Sequence, residues 1–215
     1  MICVSWHNFL LALYHSAGKL YHPGDPENFD PQSWSEPECK TNFPYFGQGS
    51  CPIPKAKSMA GGGCAVDQAL YPNATFPDRE TLNVAKRFLH KAAVQRNSSG
   101  MPFWLGVGFV KPHLPHVFPK KFGELVPPPS DIDLAPNPNF TTRCPTIEWL
   151  GKGPTHGWDR PASTESAQLL RHAYYAAAAF SDSLLGELLG ELDALGRRDD
   201  TAVVLTADHG WGLGT

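Results

Sequence analysis

Two stretches of helical periodicity, each followed by a short apolar run, constrain the fold of this sequence more than any other feature. Residues 78–95 begin at Asp78, a residue type that favours helix N-caps, and then place apolar side chains at helical spacing. The run 102–110 (PFWLGVGFV) that follows is continuous, apolar and of strand length. Such a run is typical of a strand that is buried on both faces, as in a parallel sheet covered by helices.

The last third of the sequence repeats this order. Residues 164–195 carry a long helical pattern, which Gly196 is placed to end. Residues 201–206 (TAVVLT) then predict a second buried strand. Together these elements indicate an α/β fold with a mostly parallel sheet flanked by helices.

The rest of the sequence is rich in loops. Most of its 21 prolines and 20 glycines lie in the first two-thirds. Residues 9–17 predict a strand or a short helix, but residues 25–77 and 112–163 show no repeats and no clean periodicity. We expect those two segments to be long loops that decorate one domain.

Charge and hydropathy argue against two classes of partner. The net charge of −3 gives no electrostatic reason to expect nucleic acid or an acidic membrane surface. The apolar run within residues 1–15 is too short and too polar to span a membrane, and it lacks the basic start of a signal peptide. We therefore expect no nucleic-acid partner and no membrane span.

Three N-x-[ST] sequons lie in polar or proline-rich surroundings and indicate an oxidising, secretory compartment. They begin at Asn73, Asn97 and Asn139, which we expect to be glycosylated. None of the five cysteines forms a C-x-x-C pair, which argues against a zinc ribbon.

Polar residues follow both predicted strands. Lys111 and His113 come directly after the first, and Asp208 and His209 come directly after the second. In α/β folds, functional groups gather beyond the carboxyl ends of the strands. A carboxylate is an oxygen ligand for Ca²⁺ or Mg²⁺, and a neighbouring imidazole coordinates metals or donates to a bound anion. The plain alternatives are turn residues at 208–210 and prolines that only stiffen a surface loop after Lys111.

Four polar segments follow one another along the chain: Lys19-x-x-His22-Pro23-Gly24, Pro31-Gln32-Ser33-Trp34-Ser35, Lys111-Pro112-His113-x-Pro115 and Thr206-Ala207-Asp208-His209-Gly210-Trp211. In this order they resemble the sulfatase family, and within it the iduronate-specific branch. The likeness runs from about Gly18 to the last residue. It implies an α/β, alkaline-phosphatase-like sulfatase fold that is incomplete, with residues 1–215 forming part of the N-terminal catalytic domain.

The resemblance also implies an activity. Family members are sulfuric ester hydrolases that use Ca²⁺, and the iduronate-specific branch acts on sulfated uronic acid residues of heparan and dermatan sulfate. A lysosomal or secreted location follows for this chain. Carried over residue by residue, the resemblance makes Lys19, His22 and His113 the catalytic, sulfate-binding residues. Lysine, histidine and a divalent cation suit this chemistry, because negative charge develops on the sulfate oxygens during ester cleavage.

Other roles follow from the same resemblance. It assigns Asp208 and His209 as calcium ligands and places Trp211 on the sugar side of the substrate pocket. It pairs Cys39 with Cys51 in a disulfide. Three further cysteines receive no partner and are expected to be small buried residues: Cys3, Cys64 and Cys144.

The sequence also departs from the family. Sulfatases attack sulfur with a formylglycine made from the cysteine of C-x-P-S-R, and residues 1–215 contain no such motif. The Asp-Asp pair near the N-terminus of family members, which supplies further calcium ligands, is missing too, as is the next sulfate-binding lysine. Calcium takes about six to eight oxygen ligands. We therefore expect this chain by itself to bind calcium poorly and to turn over no substrate.

Two other functions remain open at the level of sequence. One is a phosphoryl- or phosphonyl-transfer enzyme of the same superfamily with a serine or threonine nucleophile. The other is a non-catalytic protein that binds sulfated glycans through the same cations.

Overall fold

The structure is a computed structural model that describes residues 12–21, 31–35, 63–71, 75–136, 163–207, 209–211 and 213. The described strands are β1 (Leu13–Gly18), β2 (Cys64–Val66), β3 (Phe103–Gly108) and β4 (Val117–Pro119). The described α-helices are α1 (Pro77–Ser99), α2 (Lys120–Gly123) and α3 (Thr164–Ala194). Short 3-10 turns lie at Pro31–Ser33, Gln68–Leu70 and Pro129–Asp131.

The chain divides into two compact units. The first draws its described residues from Met1–Phe46, Gln68–His113 and Ala178–Val204. The second draws them from Gly47–Asp67, Leu114–Ala177 and Leu205–Thr215.

In the first unit, α1 packs against a pair of parallel strands. β1 pairs with β3 in register from Leu13 opposite Phe103 to Gly18 opposite Gly108. α1 contacts both strands, and its buried face carries Leu82, Val84, Ala85, Leu89, Ala92 and Ala93. A parallel ladder covered by a helix is the arrangement that the apolar run 102–110 predicted.

The same unit includes the C-terminal part of α3, which is joined to α1 by apolar and ionic contacts. Phe180 meets Phe76 edge to face, with ring centroids 5.2 Å apart. Arg79 donates to both carboxylate oxygens of Glu187 at 2.7 and 2.6 Å. Both bonds start from one guanidinium nitrogen, Nη1, and charge on both partners makes such bonds stronger than neutral ones. The contacts therefore hold the two helices in a defined mutual position.

The second unit contains the other strand pair. β2 and β4 run parallel, with Cys64 opposite Val117 and Val66 opposite Pro119. These four residues are buried, as is Phe118. In the N-terminal part of α3, which belongs to this unit, Ala173, Ala176 and Ala177 are buried.

The two long predicted helices are confirmed. The predicted helix 78–95 is α1, and the predicted helix 164–195 is α3. Gly196 follows α3 with a φ of 66°, in the left-handed region that glycine adopts without strain. The Gly196 N–H donates to the Asp193 carbonyl, and the Arg197 N–H donates to the Leu192 carbonyl. Gly196 thus ends the helix as predicted.

The prediction for Asp78 is wrong in one respect. The N-cap of α1 is Phe76, and Pro77 is the first helical residue. Asp78 lies within the first turn, and its carboxylate bonds outside the helix instead of capping it. Proline at the first helical position needs no hydrogen-bond partner for its nitrogen, so the helix begins there without a side-chain cap.

The prediction of a second buried strand at 201–206 is also wrong. Residues 201–207 have no regular secondary structure, and Val204 and Leu205 are 86% and 76% exposed. An apolar run becomes a strand only where a neighbouring strand offers a hydrogen-bonding ladder. In the described residues, β1 pairs with β3 and β2 pairs with β4, and residues 201–206 join neither pair.

Two smaller expectations need correction. The predicted loops 25–77 and 112–163 contain β2, β4 and α2, which are too short to produce a periodic pattern. The prediction that β3 is buried on both faces is wrong: Gly106 is buried, Trp104 is 49% exposed and the other four residues are half-buried. Within the helices that the structure describes, none is long and apolar enough to cross a bilayer.

Candidate active site

The carboxyl ends of β1 and β3 lie side by side in the first unit. Beyond the last register pair, the Lys19 N–H donates to the Gly108 carbonyl at 2.7 Å. Gly18 has a φ of 78°, and a Cβ there would lie 2.2 Å from the Gly108 carbonyl oxygen. A Cβ at Gly108 would lie 2.0 Å from the Lys19 carbonyl oxygen. The two glycines therefore allow an approach of the two backbones that no side chain would permit.

Residues 110–113 follow β3 and form a tight turn, which we name the K-P-H turn. The His113 N–H donates to the Val110 carbonyl at 2.9 Å and closes the turn. The Lys111–Pro112 peptide bond is cis. The Lys111 ammonium donates to the His113 carbonyl at 3.1 Å, so the turn is bonded to itself twice.

Both helices of the first unit anchor the K-P-H turn. From α1, the Asp78 carboxylate accepts the Val110 N–H at 2.7 Å and the Lys111 N–H at 2.9 Å. From α3, the Ser181 hydroxyl donates to the Lys111 carbonyl at 2.8 Å. Each backbone group in these bonds has a partner that belongs to a helix, which gives the loop a support that loops seldom have.

Asp78 and Lys111 are both buried, at 1% and 8% exposed. Burial raises the pKa of the Asp78 carboxyl above its ordinary value, and the two backbone N–H donors and the Lys111 charge oppose the shift. Burial lowers the pKa of Lys111 to about 8, and the Asp78 carboxylate opposes that shift. Each group therefore limits the desolvation penalty of the other.

Two of the predicted sulfate-binding residues lie at this edge. Lys19 leaves β1 and His113 ends the turn after β3, and both are half-buried. Adjacent parallel strands thus deliver a lysine and a histidine to the edge where α/β proteins bind ligands. A lysine and a histidine can stabilise the negative oxygens of a bound anion.

The other predicted site residues divide into two groups. His209 is exposed and Trp211 half-buried, and both belong to the second unit. The remaining ones lie outside the described residues: His22, Cys39, Cys51, Asn73, Asn139 and Asp208. Of the sequons, the structure describes Asn97, which is exposed in the last turn of α1 and accepts a hydrogen bond from Arg197. Glycosylation of the three asparagines stays a prediction.

Cys64 differs from its expectation. It is buried, as expected, but it is disulfide-bonded, with a partner outside the described residues. The pairing of Cys39 with Cys51 stays a prediction.

The described residues do not form a calcium site by themselves. Among them, no group of three or more His, Cys, Asp or Glu side chains could hold a metal ion. His209 offers an imidazole nitrogen, whereas calcium takes about six to eight oxygens. Calcium binding through Asp208 and His209 therefore remains a prediction from the sequence.

The sequence interpretation missed the buried partners of the K-P-H turn. Asp78 is recognisable in the sequence because it stands near the start of a helix that precedes an apolar run, but that position suggests a helix cap. Ser181 carries none, because one serine within a helical pattern looks like any other.

Comparison with known proteins now defines the class. The Sulfatase family model matches residues 17–215, and the chain belongs to the sulfatase family. Its fold is therefore the α/β, alkaline-phosphatase-like fold of that family, with parallel strands and flanking helices in the described residues.

Within this family, the chain is similar to several individual sulfatases. The chain is 32% identical over 217 residues to iduronate 2-sulfatase of Mus musculus and 31% identical over 217 residues to that of Homo sapiens. Both alignments cover 93% of this chain and 38% of the relative. An ulvan-active sulfatase of Formosa agariphila is 33% identical over 133 residues, covering 60% of this chain and 20% of that protein. The chain thus spans well under half the length of these relatives.

Proposed function

We propose that the protein containing this chain is a sulfuric ester hydrolase that acts on sulfated uronic acid residues of heparan or dermatan sulfate. Similarity to two iduronate 2-sulfatases along 93% of the chain supports the substrate class. The observation that carries the site is structural. Lys19 and the K-P-H turn lie at the carboxyl ends of adjacent parallel strands.

In this proposal, Lys19, His22 and His113 bind the sulfate group. As the ester bond breaks, negative charge grows on the sulfate oxygens and on the leaving oxygen. A lysine ammonium and imidazole donors at fixed positions stabilise that charge more than water does, because they need no reorganisation at the moment of reaction. Trp211 is proposed to contact the sugar. Asp208 and His209 would contribute to holding a calcium ion, which when bound supplies further positive charge.

The sequons at Asn73, Asn97 and Asn139 support a lysosomal or secreted location as part of the same proposal. The similarity to iduronate 2-sulfatases is consistent with it.

Replacing His113 tests the proposed site directly. In the complete protein encoded by the gene, we expect His113→Ala to lower kcat/KM for a sulfated uronic acid disaccharide by about 100-fold or more, as loss of one donor to a developing anion does. Lys19→Ala should lower kcat/KM by a similar factor. The matched control is His90→Ala, since His90 is an exposed histidine on α1 that pairs with Glu191. Release of free sulfate, followed by ion chromatography, is the measurement.

The outcomes separate the candidate functions. Sulfate release that His113→Ala leaves unchanged would contradict the proposed site. Cleavage of phosphate or phosphonate esters without sulfate release would identify the phosphoryl-transfer alternative. Tight binding of the sulfated disaccharide without any hydrolysis would identify the glycan-binding alternative.

Residues 1–215 taken by themselves are expected to bind calcium weakly and to release no sulfate. It offers one carboxylate and one imidazole from the predicted calcium set, and it has no C-x-P-S-R cysteine. We expect calcium affinity weaker than micromolar by isothermal titration calorimetry, and no sulfate release. Micromolar or tighter binding, or any turnover above a heat-treated blank, would contradict this expectation.

A further inference from the structure

Side chains from α1, from α3 and from the K-P-H turn itself hold the backbone of this turn. Asp78 accepts the N–H groups of Val110 and Lys111, and Ser181 donates to the Lys111 carbonyl. Inside the turn, Lys111 bonds the carbonyl of His113. His113 is the one member of this set that we propose to touch the substrate.

Because Asp78 and Lys111 are buried, losing one of their hydrogen bonds is costly. Asp78 is 1% exposed and Lys111 is 8% exposed, so water does not replace a lost partner there. A backbone N–H or carbonyl left without a partner at such a place is costly, and the turn would move to satisfy it. The position of His113 therefore depends on side chains from α1 and α3.

Lys111 is itself held in place by its contacts. A buried ammonium that donates to a carbonyl, and that feels the charge of the Asp78 carboxylate, is held in place and does not search solvent. Its bond to the His113 carbonyl links the last residue of the turn back to the first half of it. A hydrophobic side chain of the same length would fill the space but supply no link.

We propose that Asp78, Lys111 and Ser181 are positioning residues, which hold the K-P-H turn so that His113 is fixed for sulfate binding. This inference rests on the proposed role of His113. The three residues act through the backbone of the turn. A displacement of about 1 Å in a group that stabilises a transition state can lower the rate by as much as 100-fold.

Two serines on α3 provide a matched pair for the test. Ser181 donates to the Lys111 carbonyl, whereas Ser183 donates to the Phe180 carbonyl of its own helix at 2.7 Å. Both are half-buried in the same helix, and both changes remove a single hydroxyl. Ser181→Ala and Ser183→Ala should therefore differ only in what they do to the K-P-H turn.

In the complete protein, we expect Ser181→Ala to lower kcat for sulfate release about tenfold with little change in KM, because the affected interaction strengthens in the transition state. Ser183→Ala should leave kcat within about twofold of wild type. Ser181→Thr keeps the hydroxyl and should recover most of the loss. Lys111→Met should lower kcat at least as much as Ser181→Ala, with Lys120→Met as the exposed control.

Backbone hydrogen exchange supplies a readout that does not depend on activity. The N–H groups of Val110, Lys111 and His113 all have acceptors in or next to the turn. We expect their exchange to be about tenfold faster in Ser181→Ala and Lys111→Met and unchanged in the two controls, since exchange requires these bonds to open.

The two readouts separate failure of this inference from failure of the proposed function. Unchanged kcat in Ser181→Ala and Lys111→Met, in a wild-type protein that releases sulfate, would overturn the positioning role. If the wild type releases no sulfate, the proposed function fails, and the exchange data decide the structural part. Faster exchange in the two variants would then support the anchoring of the turn, and unchanged exchange would overturn it.

Discussion

Gly18→Ala is expected to destabilise the complete protein severely and to displace Lys19. The new Cβ would lie 2.2 Å from the Gly108 carbonyl oxygen and 2.5 Å from the Thr81 side chain. The left-handed backbone at a φ of 78° adds roughly 1–2 kcal/mol for any residue with a Cβ. Overpacking against a backbone group that cannot rotate away adds about 1–3 kcal/mol. Denaturant unfolding followed by circular dichroism is the measurement.

Gly100→Ala is the matched control for this change. Gly100 has a similar φ of 71°, but a Cβ there would meet nothing within 4 Å. It should therefore incur the conformational cost without the clash. Equal losses of unfolding free energy in the two variants would show that β1 and β3 do not approach as closely as described.

Asp78→Ala is expected to lose about 2–6 kcal/mol of unfolding free energy, because each of the two backbone N–H donors left without an acceptor costs about 1–3 kcal/mol. The change leaves the Val110 and Lys111 N–H groups without their acceptor and the Lys111 ammonium without its carboxylate. Asp182→Ala, at an exposed carboxylate on α3, should have a small effect by comparison.

The loss of unfolding free energy caused by Asp78→Ala should depend on pH in a definite direction. The folded-state pKa of Lys111, about 8, lies below the ordinary lysine value of 10.5. The unfolded chain therefore binds more protons between these values, and the contribution of Lys111 to stability rises with pH across that window. Loss of the Asp78 carboxylate lowers the pKa of Lys111 further. The variant lysine then loses its charge at a lower pH than the wild-type lysine.

The difference in unfolding free energy between wild type and Asp78→Ala should consequently be larger at pH 7 than at pH 9. Adding Lys111→Met to Asp78→Ala removes the stranded charge, so the double variant should lose less than the sum of the single changes. A loss of unfolding free energy that is the same at both pH values, together with additive losses, would contradict the electrostatic coupling of Asp78 and Lys111.

The long elements of this fold are predictable because their patterns are long. α1 and α3 each repeat apolar side chains over many turns, and the run that becomes β3 is bounded by a glycine turn and a polar cluster. The segments β2 and β4 have three residues each, which is too few for a period to register. The run 201–206 has the composition of a strand, but composition does not reveal whether a neighbour is present to pair with it.

Part of the site is predictable for a different reason. His113 stands out in the sequence because it follows an apolar run, whereas Lys19 is assigned by the family resemblance. The two residues lie at one edge because the strands before them are parallel neighbours. Their anchors do not stand out. Asp78 resembles a helix cap, and Ser181 lies in the middle of a helix, so the bonds they make depend on tertiary contacts that no local pattern encodes.

Those anchors carry a consequence for attempts to move the motif to another scaffold. The carboxylate that holds the turn comes from a residue 32 positions before Val110, and the hydroxyl comes from one 70 positions after Lys111. Grafting Lys111-Pro112-His113 onto a different sheet would transfer the side chains and leave both supports behind. A graft that keeps the geometry of His113 must include equivalents of α1 and α3. The smallest unit that could be transferred is therefore a helix–strand–helix assembly.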